Sequence, residues 1–139
     1  ISQTLCTVFK TNLLKGLENF ASGSIYDYKI ALYVDGANLG ADTTAYTTDF
    51  EVPAGNGYST GGKDLSPTIP TSNGTTAFVS FSNVTWDPAS FTAKGALVYN
   101  STTNAAVCVL NFGADKTATS TFTVTFPTEN ANSAIIRIA

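Results

Sequence analysis

Residues 117–128, TATSTFTVTFPT, alternate in polarity with a period of two. Phe122, Val124 and Phe126 point one way from an extended chain. Thr119, Thr121, Thr123 and Thr125 point the other, so the segment reads as a strand with one apolar face. The opposite face is the informative one. A solvated face usually carries charge and a catalytic face needs groups that ionise, whereas this row is neutral hydroxyl throughout.

The same alternation recurs along most of the chain. In YDYKIALYV, Tyr26, Tyr28, Ile30, Leu32 and Val34 share a face against Asp27, Lys29 and Tyr33, and Asp35-Gly36 marks a turn. YTTDFEV reads as a strand with Tyr46, Thr48, Phe50 and Val52 opposing Thr47, Asp49 and Glu51. In AFVSFSNVTW the phase breaks between Val79/Phe81 and Val84/Trp86, which predicts a β-bulge near Ser82–Asn83 that keeps both pairs on the core. FTAKGALVY follows, and AAVCVLNF, apolar on both faces, predicts a central strand covered on both sides. AIIRIA closes the chain.

One segment has a different period. Phe9, Leu13, Leu17 and Phe20 recur at helical spacing, which predicts a helix over about 6–20 that ends at Ser22-Gly23-Ser24. Seven or eight short strands at regular intervals then predict a mainly β, antiparallel sandwich, jelly-roll-like, with one N-terminal α-helix. The 139 residues fit a single domain of 1–139 with no internal repeat. Residues 53–75, crowded with Gly, Pro, Ser and Asn, read as a long surface loop with a short strand near 57–65.

Charged residues make up only 12% of the chain, against ~25% in an ordinary domain. Such a surface suits contact with other protein, because few ions lose water on association. The net charge of −3 and the lack of a Lys/Arg cluster argue against nucleic acid. No apolar run reaches the ~18 residues of a membrane helix. There is no histidine, so the commonest general base and metal ligand are missing, and no metal or cofactor is expected. Cys6 and Cys108 form no zinc or redox motif; two buried thiols or one long-loop disulfide are both open.

Signals for chemistry are weak. Asp49 and Glu51 fall on one strand face at ~6–7 Å between Cα atoms, as the carboxylates of some sandwich glycosidases do. A solvated edge explains them as well. DGANLGAD departs from the calcium-loop pattern, and STGGK lacks phosphate-loop spacing. Asn73, Asn83 and Asn100 stand in glycosylation sequons. Trp86, Phe91, Tyr46 and Tyr58 offer either a sugar-stacking platform or ordinary core, with Tyr58 expected to be partly exposed in its loop. No enzyme activity is expected.

The stretches FKTNLLKGLENF, YKIALYV, TTAYTTDFEV, GNGYSTGGKDL, NVTWDPASFTAKGALVYN, LNFGADK, FTVTFP and AIIRIA occur in an order that resembles a family of small structural proteins of tailed bacteriophages and prophages. Members with an assigned role are capsid cement (decoration) proteins. The resemblance covers nearly the whole chain, and the shared residues are structural: Gly61-Gly62, Trp86, Gly95. It implies a jelly-roll-like sandwich, a homo-oligomer (dimer or trimer), and a major capsid protein of HK97-like fold as partner on the outer capsid surface of a virion. An N-terminal segment and the 53–75 loop are then the expected extensions. The candidate partner-binding residues are Tyr58 and Lys63 in that loop, with Thr119, Thr121, Thr123 and Thr125. A carbohydrate-binding β-sandwich module is the alternative.

Overall fold

The runs with the fewest polar interruptions make the centre of the molecule. A computed structural model describes residues 1–139. In it Thr92–Asn100 and Ala106–Thr117 pair antiparallel, with Leu97 opposite Val109 and Val98 opposite Cys108. Ala106 to Leu110 are all buried, as expected for a strand covered on both faces. The strands, in chain order, are β1 (Thr4–Leu5), β2 (Tyr28–Tyr33), β3 (Lys63–Leu65), β4 (Thr71–Asn73), β5 (Thr76–Val79), β6 (Val84–Trp86), β7 (Thr92–Asn100), β8 (Ala106–Thr117), β9 (Phe122–Val124) and β10 (Ile136–Ile138). They form a five-stranded sheet in the order β1-β8-β7-β2-β3, a three-stranded sheet β10-β5-β4 and a two-stranded ribbon β6-β9. Every pairing is antiparallel.

The fold is therefore mainly β, a sandwich-like antiparallel arrangement with one helix. Its strands divide five, three and two, so the finer jelly-roll description does not follow from the pairing. One core joins the sheets: Phe9 and Phe20, Ile30 and Leu32, Phe81, Trp86, Val107 and Phe122 belong to a single buried cluster. Cys6 and Cys108 are both buried and free. Burial raises the Cys6 thiol to about 11, so it stays protonated at neutral pH.

The helix α1 spans Thr7–Leu14, shorter than the expected 6–20. Gly16 ends it, at φ +73°. The Gly16 N–H donates to the Leu13 carbonyl and the Leu17 N–H to that of Asn12, the two bonds of a Schellman cap. Phe9 and Phe20 still reach the core, but Phe20 does so from non-helical chain.

Two further expectations are corrected. The phase break after Phe81 is no bulge within one strand. The chain leaves the β5 sheet at Val79 and joins β9 from Val84, and Val79, Phe81, Val84 and Trp86 are all buried as the pattern requires. YTTDFEV is a turn, not a strand: Phe50 adopts φ +62° and is exposed, and only Glu51 makes a bridge, to Tyr33.

Segment 53–75 carries β3, inside the expected 57–65, and also β4. It is no free arm. Tyr58 and Leu65 are buried within it, and β3 extends the main sheet beside β2.

Candidate functional site

Of the threonine row only Thr123 lies within a strand, on the smallest sheet; Thr121 and Thr125 flank it in extended chain and Thr119 sits in the bend before it, so the strand is shorter than the alternation predicts. β9 pairs with β6 through Val84–Val124, Thr85–Thr123 and Trp86–Phe122. Phe122, Val124 and Phe126 are buried, while Thr119, Thr121, Thr123 and Thr125 are exposed. Trp86 anchors the ribbon from below: its ring lies edge-on to Phe122 at 6.1 Å and stacks on Tyr58 at 6.3 Å.

Which backbone groups of β9 remain available follows from its bonds. The Phe126 N–H donates to the Asn83 side chain, and the Ser120 carbonyl accepts from Ala89, both on the β6 side. Backbone groups alternate sides along a strand, so the even residues face β6. Thr121, Thr123 and Thr125 therefore turn their N–H and C=O groups to the opposite edge, which has no strand neighbour. That edge opens on a groove of about 480 Å³ walled by Leu110, Phe112, Ala118 and Ile135. Consecutive residues from Thr121 to Pro127 line it, as expected if the groove runs along the strand.

Of the residues singled out from sequence, Thr121, Thr123 and Thr125 share this groove, and Thr119 lies outside it. Lys63 sits across the ribbon. Its Nζ donates to the Thr85 carbonyl at 2.6 Å and lies 5.9 Å from the Trp86 ring centroid, while the Thr85 hydroxyl meets that of Thr123 at 3.1 Å. Lys63, Thr85 and Thr123 thus form one exposed polar strip. Tyr58 does not join it; its exposure is 2%, and this corrects its expected position. Its hydroxyl donates to Glu51 at 2.6 Å and accepts from the Leu32 N–H at 3.0 Å, two partners that hold the ring in the core.

Other candidates take structural places. Asp49 is exposed, whereas Glu51 is nearly buried and accepts from Tyr46, Tyr58 and Gly61. The two carboxylates therefore do not share a solvated face. Trp86 and Tyr58 are buried, so the four aromatics form no exposed stacking platform. Asp35 pairs with Lys94 at 3.0 Å. Asn100 is fully buried, which removes its sequon from any modifying enzyme in the folded chain.

Five tyrosines, Tyr28, Tyr33, Tyr46, Tyr58 and Tyr99, have phenols held above their ordinary value, in each case chiefly by burial. Tyr99 is raised to about 12. The folded chain then binds more protons than the unfolded chain above pH ~10, so stability must fall as pH rises through that window. The expected result is a base-induced unfolding that begins near pH ~10 and coincides with the tyrosinate absorbance change. Absorbance that titrates to completion before the circular dichroism changes would contradict it.

Comparison with known proteins adds no assignment: no family model, curated protein or solved structure matches this chain.

Proposed function

We propose that this chain is a capsid cement (decoration) protein, which binds the outer surface of an HK97-like shell of a tailed phage or prophage and stabilises it. The observation that carries the reading is the open edge of β9. Soluble proteins normally protect such edges with charge, proline or a covering element. Here Thr121, Thr123 and Thr125 present neutral groups to a groove that mixes Leu110, Phe112 and Ile135 with Gln3, Lys116 and Pro127, so this part of the edge stays uncharged and open to cover by another protein. The low overall charge and the resemblance of the strand and loop segments agree with this. A shell repeats each site many times, so modest contacts add up through multivalency. In the proposed assembly the protein is a dimer or trimer, and the β9 edge with the Lys63–Thr85–Thr123 strip meets the capsid or a sister subunit.

The test is the solution mass of the purified protein, then co-sedimentation with capsids stripped of it. A dimer or trimer that rebinds at saturable stoichiometry is expected. A monomer that leaves such capsids unoccupied would remove the reading.

Thr123→Pro makes the role of the edge specific. Proline deletes an N–H on the open side only and is tolerated at sheet edges. The domain should stay folded while capsid attachment or self-association weakens about tenfold or more, the equivalent of one or two lost hydrogen bonds. Unaltered attachment and mass would place the contact elsewhere.

A further inference from the structure

The β6–β9 ribbon has two outer edges, and the chain closes only one of them. On the β6 side Lys63 Nζ donates to the Thr85 carbonyl, so a cation blunts that edge. On the β9 side no strand, turn or side chain bonds the N–H and C=O groups of Thr121, Thr123 and Thr125. The free stretch has definite ends. Before it, the Ser120 carbonyl is taken by Ala89. After it, Phe126 donates to Asn83, and Pro127 has no N–H to offer. Phe112 and Ile135, both half-buried, lie in the groove beside this edge.

An open strand edge accepts another strand, and this one is complementary to itself. Turned antiparallel about a two-fold axis at Thr123, it sets Thr123 against the partner's Thr123 and Thr121 against the partner's Thr125. Every free N–H and C=O of both edges then has a partner. A register two residues further on would set Thr121 against the partner's Pro127 and leave the Thr121 carbonyl without a donor. The side chains agree, since threonine opposite threonine is a favourable cross-strand pair and like charges there would repel. Charge also sets the direction. The one charged residue lining the groove, Lys116, stands just before the turn that leads into Thr121. Antiparallel pairing sends the two Lys116 side chains to opposite ends of the contact, each toward the end where the other chain runs through Pro127 to exposed Glu129. Parallel pairing would bring the two lysines together.

We propose that two copies of this chain join β9 to β9 in this register, so that their ribbons form one continuous sheet in the order β6-β9-β9-β6 across a two-fold axis. The pairing rests on the reading of the β9 edge given above and commits that edge to a sister subunit. It yields a dimer and no trimer, because each contact uses both edges. So short a contact makes a weak dimer, with a dissociation constant of about micromolar magnitude.

The experiment is mild oxidation of Thr123→Cys by dissolved oxygen, followed by non-reducing electrophoresis. Residues paired in this way lie ~5.5 Å apart at Cα, inside the ~4.4–6.8 Å that a disulfide spans. Cys6 and Cys108 are buried and do not compete. Thr123→Cys should run mostly as a covalent dimer. Thr121→Cys is the control: its two copies would lie ~13 Å apart along the strands, so it should stay monomeric alone and link only when mixed with Thr125→Cys. In the unmodified protein, amide hydrogen exchange at Thr121, Thr123 and Thr125 should slow about tenfold or more from micromolar to millimolar concentration. Monomeric Thr123→Cys, equal linking by Thr121→Cys alone, a trimeric mass, or exchange independent of concentration overturns the dimer. Co-sedimentation separates this from the capsid reading. A linked Thr123→Cys dimer that leaves stripped capsids unoccupied upholds the dimer and removes the capsid reading. Unmodified chain that binds capsids while its exchange ignores concentration removes the dimer alone.

Discussion

Gly62→Ala is expected to destabilise the domain by about 4 kcal/mol or more, a large share of the ~5–15 kcal/mol that holds a domain folded. Gly62 has φ +82°, and a Cβ placed there would stand 1.8 Å from the carbonyl oxygen of Ile30 and 2.8 Å from the Cα of Ala31. Both are backbone atoms of β2, the strand that pairs Ile30 with Lys63, so nothing flexible can yield. Accommodation requires β3 to leave the sheet. The left-handed conformation alone costs an alanine roughly 1–2 kcal/mol, and the collision adds the rest. Gly61 is the internal control. Its φ is +96°, but its nearest neighbour is the Tyr99 hydroxyl at 3.5 Å, an ordinary contact. Gly61→Ala should therefore cost only the conformational term, about 1–2 kcal/mol. Denaturant midpoints of the two variants decide this. Similar midpoints would show that the turn relaxes and that the close approach is not limiting. Because Lys63 follows Gly62 and bonds Thr85, Gly62→Ala should also free the outer edge of the β6–β9 ribbon.

Removal of the Glu51 carboxylate is the second large effect. Its two oxygens accept from the Tyr46 hydroxyl at 2.5 Å, the Tyr58 hydroxyl at 2.6 Å and the Gly61 N–H at 2.8 Å. Glu51→Ala leaves those donors without their acceptor and opens a void between β2 and the 58–61 turn. The expected loss is about 3–5 kcal/mol, because three neutral donors lose one acceptor group and each buried donor left unpaired costs ~1–3 kcal/mol. Glu51→Gln keeps one acceptor oxygen but turns an amide donor toward donors, so about 1–3 kcal/mol is expected. Tyr58→Phe removes one donor and leaves the Leu32 N–H unpaired, and it should fall in the same range. Urea unfolding of the three variants tests the order. A Glu51→Ala protein as stable as Glu51→Gln would mean that water replaces the carboxylate, and that the network orders the turn without stabilising it.

These two positions show how unevenly the site could be read. The burial of Phe122, Val124 and Phe126 against the exposed threonines is visible in TFTVTFP because side-chain direction follows from the strand itself. The start of the helix and the core role of Phe9 are legible for the same reason. Its end is not legible in the apolar stripe, which runs on to Phe20 in the following loop, although Gly16 with its positive φ is the residue that stops it. The alternation of Glu51 with Asp49 suggests a strand with both carboxylates on one solvated face, whereas Glu51 turns inward. Only a positive φ at Phe50, which side-chain sterics disfavour and no pattern announces, turns the carboxylate inward. Tyr58 sits in a glycine-rich loop and looked accessible. It is held inside by Glu51, seven residues earlier, and by Leu32 on another strand.

By itself, the sequence determined what each segment buries and the class of fold those segments can share, because the periods of 2.0 and 3.6 are local backbone geometry. It determined a surface poor in charge and rich in hydroxyls as well. The tertiary structure alone decided which strands pair. It left the β9 edge open beside Leu110 and Phe112 and seated Lys63 on the other edge of the ribbon. Pairing is a choice among distant partners with similar local patterns, and it is settled by which arrangement covers the most apolar surface while leaving the fewest buried polar groups unpaired.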